Sequence, residues 1–319
     1  MPANASRRLE FNGNAPGPPE RQLPGTGKPE LNNVFAYITI NIDPVLVRLG
    51  PFSVRWYGLM YALGLGLALW VTLPIAERRG APRDAVYTIF WGTAIAGLIG
   101  GRLYFVIQND PSAYLTHPTR ILALWEGGMA FYGAIFLGVP ALYLLTRMVH
   151  VTFLPLLDTV ALFAPLAQAV GRIGNIVNGD IVGYRSNLPW ATAYANPGAF
   201  VRPLCGQQSA HCVAYQPAAA YELLFSLGLF GVLWALRERP WPGGLQFVLY
   251  VALYSIGQLV LFVWRDNVLV LGPLKQAQVT AIVVLIALVP VGLWLSRRGM
   301  SGKHPSKSAN VAAEDPALT

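Results

Sequence analysis

Seven apolar runs near 20 residues long recur along this chain, separated by shorter polar stretches. A run of that length crosses roughly 30 Å as a helix, which is the thickness of bilayer hydrocarbon, and its backbone polar groups are then satisfied within the run. The runs cover about 57–77, 86–107, 128–146, 151–170, 219–236, 245–264 and 276–296. With 54% hydrophobic and only 12% charged residues, bilayer suits the chain better than water as a solvent. The pattern therefore predicts an all-α polytopic membrane protein with about seven transmembrane helices.

The ends read differently. Residues 1–50 are rich in Pro, Gly and Asn, carry Arg7, Arg8, Arg21 and Lys28, and lack the apolar core of a secretory signal peptide. They are expected to form a disordered tail, followed by a membrane domain over 51–299 and a second disordered tail over 300–319. Cytoplasmic loops accumulate Lys and Arg. Arg78, Arg79 and Arg83, then Arg147, then Arg237 and Arg239, and finally Arg297, Arg298, Lys303 and Lys307 all fall on one side if the amino terminus is outside and the carboxyl terminus cytoplasmic. The net charge of +8 is read mainly as this topology signal, beside contact with membrane lipids, and no nucleic-acid partner is expected.

Charge at membrane depth is expensive and faces a partner or a watery cavity. Arg102, Asp158, Arg172, Glu222 and Arg265 fall inside the runs or at their ends. In the stated orientation Arg102, Arg172, Glu222 and Arg265 lie outward on four different helices, which predicts one polar cavity in the outer half of the bilayer. Asp158, towards the inner end of the fourth run, reads instead as a polar group for helix packing.

The densest polar segment, Gly171-Arg172-Ile173-Gly174-Asn175-Ile176-Val177-Asn178-Gly179-Asp180, directly follows the fourth run. Arg172 and Asn175 share a face if the helix continues through them, and the glycines let backbones approach closely. A guanidinium fork suits a phosphate, and asparagine amides suit ester or hydroxyl oxygens. The plain structural alternative is an interfacial arginine snorkelling to headgroups, with glycines ending the helix. Gly97-Leu98-Ile99-Gly100-Gly101-Arg102 pairs a small-residue packing face with a second outward arginine. Cys205 and Cys212 lie in the long outer segment, where a disulfide is favoured over two free thiols, and His211 adds too few ligands for a metal.

In order along the chain stand Arg55-Trp56-Tyr57-Gly58-Leu59-Met60-Tyr61, Gly100-Gly101-Arg102-Leu103, His117-Pro118 with Trp125-Glu126-Gly127-Gly128, Leu157-Asp158 through Ala164-Pro165, the Gly171 to Gly179 signature, and Pro217 with Tyr221-Glu222. This series resembles the prolipoprotein diacylglyceryl transferases of bacteria. The resemblance implies transfer of diacylglyceryl from phosphatidylglycerol to the lipobox cysteine thiol of a prolipoprotein signal peptide, forming a thioether and releasing glycerol phosphate. It implies no metal or nucleotide cofactor, and a place in the bacterial inner (plasma) membrane. On it, Arg172 and Asn175 hold the lipid phosphate or glycerol, Tyr57 lines the same cavity, Asn178 and Asp180 complete it, and Tyr221 and Glu222 organise its wall. Arg102 and Arg265 add to the anion clamp, while Asp180 or Glu222 relays the thiol proton.

Four positions depart from the family pattern. Tyr132 stands where the third-span motif has His, and a phenol titrating near ~10 is a poorer base than imidazole. Gln258 and Phe262 stand where the sixth span has Arg and, four residues on, Glu. Gln258 keeps hydrogen-bonding capacity at the binding site, whereas Phe can neither accept a proton nor pair an arginine. Asp180 replaces Glu. The competing reading is a non-catalytic relative that binds phosphatidylglycerol or lipoprotein signal segments. A small-solute transporter would require internal repeats that the apolar pattern does not show.

Overall fold

A computed structural model of the chain describes residues 37–50, 52–108, 114, 116, 118–122, 131–202, 204–205 and 212–301. Among the described residues seven α-helices stand at the seven apolar runs: α1 (Trp56–Arg78), α2 (Arg83–Gln108), α3 (Phe131–Met148), α4 (Phe153–Asn178), α5 (Ala218–Ala235), α6 (Leu245–Leu261) and α7 (Gln276–Ser301). Five of them, α1, α2, α4, α5 and α7, are long and apolar enough to cross a membrane, and α3 and α6 are shorter apolar helices. Large side chains such as Trp70, Trp91, Ile107, Phe136, Ile286 and Trp294 are exposed on them, which hydrocarbon tolerates and water does not. The chain is a multi-pass membrane protein.

Helix α4 is central, touching α1, α5 and α6, and α7 packs on α6. Ala161 and Leu162 of α4, Leu229 and Leu233 of α5 and Tyr250 of α6 form the buried apolar core. The predicted small-residue face on α2 closes a tight pair with α3: a Cβ at Gly100 would stand 2.3 Å from the Gly133 carbonyl oxygen, and one at Gly133 2.2 Å from that of Gly100. Only glycine allows this backbone approach, and van der Waals packing of this kind holds helices together in lipid.

At the end of the bundle where α4 stops, the connections form a small platform. Strand β1 (Ile38–Ile40) lies parallel to β4 (Thr192–Tyr194), while β2 (Val45–Leu49) and β3 (Phe52–Arg55) form a hairpin leading into α1. The tail predicted to run to residue 50 therefore ends earlier. Residues 38–49 are ordered because their backbone groups find partners, Ile38 donating to Ala191 and Ala195 donating to Ile40. Residues 1–36 and 302–319, the rest of the two predicted tails, lie outside the described residues. A second hairpin, β5 (Leu269–Leu271) with β6 (Leu274–Lys275), joins α6 to α7. Cys205 and Cys212 are disulfide-bonded.

The platform is latched to α4. Tyr194 donates its hydroxyl to the Ile176 carbonyl at 3.0 Å, and the Phe200 amide donates to the Asn178 carbonyl, so two of the helix's last carbonyls are satisfied. Burial pushes the Tyr194 hydroxyl up to about 12, which keeps it a donor at working pH. Gly179 ends the helix at φ +67°, a left-handed conformation that favours glycine, and the Tyr194 ring leaves no room there for a Cβ.

Candidate active site

The fourth apolar run was expected to stop at Val170, with the signature beyond it. The helix instead continues through the signature to Asn178, which places Arg172 and Asn175 on one face. Arg172 Nη1 donates to Asn175 Oδ1 at 3.2 Å, and Asn175 Nδ2 lies 3.2 Å from each oxygen of Asp180, just past the helix end. Gly174 brings α1 against this face, since a Cβ there would sit 2.9 Å from the Tyr57 Cα.

Glu222 joins the cluster from the first turns of α5. Its Oε2 lies 2.6 Å from Arg172 Nη2, and its Oε1 accepts from Arg265 Nη1 at 2.9 Å. The Glu222 side chain is 3% exposed, against 22% for Arg172 and 14% for Arg265. One desolvated carboxylate thus fixes two guanidiniums, each with donors left over. The resulting chain of contacts runs Arg265, Glu222, Arg172, Asn175, Asp180, drawing on α4, α5 and the exit of α6.

Phe262 corrects an expectation. Its ring lies under the Arg265 guanidinium, 4.5 Å from ring centroid to Cζ. A phenyl face attracts a cation through its quadrupole, so Phe262 does pair an arginine, without a carboxylate's charge. Among the described residues three buried polar atoms of this group have no hydrogen-bond partner: Arg265 Nε, Asn178 Oδ1 and Glu222 Oε2, the last in ion-pair contact with Arg172. Buried polar groups are normally satisfied, so unpaired ones among candidate site residues call for an explanation.

The remaining predicted residues are distributed around this centre. The Tyr57 hydroxyl donates to Tyr61 at 3.0 Å and lies within electrostatic reach of Asp180 and Arg172. Tyr221 accepts from Trp190 Nε1 at 2.8 Å, donates to Gln216 Oε1 at 2.7 Å, and sets its ring edgewise to Trp264. It therefore braces the Trp190 and Gln216 loop segments against the exit of α6. Gln258 is buried on α6, one turn before Phe262. Tyr132 belongs to the first turn of α3, and its side chain, like Trp125 to Gly128, lies outside the described residues.

Arg102 departs from the predicted convergence. Among the described residues it donates to the carbonyls of Arg120 (2.6 Å) and Ile121 (2.9 Å), tying α2 to the short 3-10 helix Pro118–Leu122, and no contact described for the Glu222 cluster includes it. A guanidinium near a helix end is as well suited to capture loop carbonyls as to meet a ligand, and sequence position alone does not separate the two.

Two contributors were not anticipated. Tyr254 of α6 stands among Arg172, Glu222 and Arg265. Its four-residue spacing from Gln258, which puts the two on one helix face, was the available signal. Gly183 lets the backbone after the signature cross close to the end of α6: a Cβ there would stand 2.3 Å from the Trp264 carbonyl oxygen, and the Tyr184 amide donates to that oxygen at 3.0 Å.

Bundle and cluster together define a class: a multi-pass membrane protein with two arginines held on one buried glutamate where three helix ends meet. The chain belongs to the prolipoprotein diacylglyceryl transferase family, whose model matches residues 44–294. A phosphatidylglycerol--prolipoprotein diacylglyceryl transferase of Geobacter sulfurreducens is 31% identical over 265 residues, covering 81% of this chain and 97% of the relative. Proteins of the same name from a Nostoc species and from Pseudomonas aeruginosa are 34% and 31% identical, covering 88% and 81% of this chain and 98% and 95% of the relatives.

Proposed function

We propose that this membrane enzyme transfers diacylglyceryl from phosphatidylglycerol to the cysteine thiol of a prolipoprotein lipobox. The observation that carries the reading is the Glu222 carboxylate holding Arg172 and Arg265 side by side. In the reaction the thiol loses its proton, the sulfur attacks the glycerol carbon bonded to the phosphate oxygen, and that carbon–oxygen bond breaks. A thioether forms and glycerol phosphate leaves with the bonding electron pair.

Developing negative charge on the phosphate is what fixed cationic donors stabilise best, because they need no reorganisation at the moment of reaction. Arg172 and Arg265 supply them, preorganised by Glu222. The unpartnered Arg265 Nε and Asn178 Oδ1 offer one more donor and one acceptor. A cysteine thiol near pKa ~8.5 needs a base at neutral pH. Both oxygens of Glu222 already face guanidiniums, so it serves as the organiser of the clamp, and the exposed Asp180, steadied by Asn175, takes the proton. Tyr57 lines the donor's path, Tyr221 and Gln258 shape the walls, and Arg102 supports the neighbouring loop.

On this reading, which the distribution of basic loop residues supports, the cluster faces the outer half of the bacterial inner membrane with the amino terminus outside, and phosphatidylglycerol and a signal segment reach it laterally.

Transfer of labelled diacylglyceryl from phosphatidylglycerol vesicles to a lipobox peptide by the purified protein tests this, beside Arg172→Ala. Thioether product that vanishes in the variant is the expected result. No product from a folded preparation that still binds the lipid would favour the non-catalytic reading.

A further inference from the structure

Lys275 is buried, 4% exposed, at the end of β6 just before α7, yet its described side-chain hydrogen bonds all go to backbone carbonyls. Its ammonium donates to Phe262 at 2.5 Å, to Val263 at 3.3 Å and to Arg265, and it stands 4.8 Å from the centroid of the Tyr184 ring. An ammonium has three donors, and three carbonyls take them. These carbonyls belong to the exit of α6, the negative end of that helix, where a cation is favoured. Gln278 straps the same end, accepting from the Lys275 amide and donating to the Leu259 carbonyl, each at 3.0 Å.

Two of the three carbonyls belong to residues on which the site depends. One is Arg265 itself, and another is Phe262, whose ring underlies the Arg265 guanidinium. We infer that Lys275 is a positioning residue for transfer, its ammonium fixing the backbone that aims the Arg265 guanidinium at Glu222 and the departing phosphate. Burying a cation is costly, and a loop that needed only a cap could leave its carbonyls to water. Here the ammonium locks both supports of one arginine, and a shift of about 1 Å in such a support lowers turnover by up to about 100-fold. The inference rests on the proposed transferase activity.

The test is a double-mutant cycle on purified protein, reading kcat and apparent KM for phosphatidylglycerol with a lipobox peptide. Lys275→Met keeps the stem and removes the donors. It is expected to lower kcat by about 10- to 100-fold with little change in KM, and Lys275→Arg to recover part of the loss. In an Arg265→Ala background Lys275→Met should cost little more, because its route is already gone. Wild-type turnover in Lys275→Met, or losses that add in full, would overturn the inference. If Lys275→Met does not fold, the same cycle is run with Lys275→Gln, which removes the cation, and its wild-type turnover or full additivity overturns the inference equally. A wild-type protein inactive towards the peptide would overturn the proposed function instead.

Discussion

Both ends of this bundle bury an arginine near a carboxylate, and the two arrangements differ in what their polar atoms are aimed at. At the end where α1 stops, Arg79 donates to the Pro155 carbonyl at 3.3 Å, Thr159 Oγ1 at 3.0 Å and Gln246 Oε1 at 2.8 Å. Asp158 accepts from the Gly244 and Phe247 amides at 2.7 and 2.9 Å, closing the first turn of α6. Most of these bonds end on backbone or a helix terminus, so the group is a staple. At the other end, side chains bind side chains, one carboxylate answers two guanidiniums, and Arg265 Nε and Asn178 Oδ1 are left over. The same residue types thus become structure or site according to whether the fold consumes their hydrogen-bonding capacity.

Substitutions at each end sharpen or break this contrast. Glu222→Ala leaves two facing buried guanidiniums. We expect transfer to be abolished and stability to fall by about 3–5 kcal/mol, read by unfolding in detergent. Gly133→Ala, in the first turn of α3, forces a Cβ against the Gly100 backbone and should cost about 1–3 kcal/mol, read by unfolding in detergent. Asp158→Asn sets an amide against the α6 amides and should cost about 1–3 kcal/mol, with kcat unchanged. A kcat loss there matching that of Glu222→Ala would erase the distinction between staple and site. The smallest effect belongs to Phe262→Leu, which removes a cation–π contact of about 0.5–2 kcal/mol and should lower turnover only several-fold.

The helices were legible because bilayer thickness sets their length, and the cluster because membrane-depth charge is rare enough to single out Arg172, Glu222 and Arg265. The Arg172 and Asn175 spacing held because α4 runs on to Asn178. What stayed hidden depended on partners distant in sequence. Strand β1 needs Ala191 to Tyr194 to exist, and Arg102 finds its carbonyls 18 and 19 residues away in a loop. Phe262 looked like a lost carboxylate because its value lies in the ring face it turns to Arg265. Tyr254 stayed hidden because its meeting with Arg172, Glu222 and Arg265 depends on how three helices pack.

Arg172 acts as a planar fork, Nη2 on Glu222 and Nη1 on Asn175, with its remaining N–H donors turned to phosphate. Transfer by Arg172→Lys tests it most directly, since lysine keeps the charge and loses the fork. A drop of about 100-fold or more in a folded, membrane-integrated variant is the predicted result. Turnover close to that of the unmodified protein would show that a point charge suffices and would contradict the account.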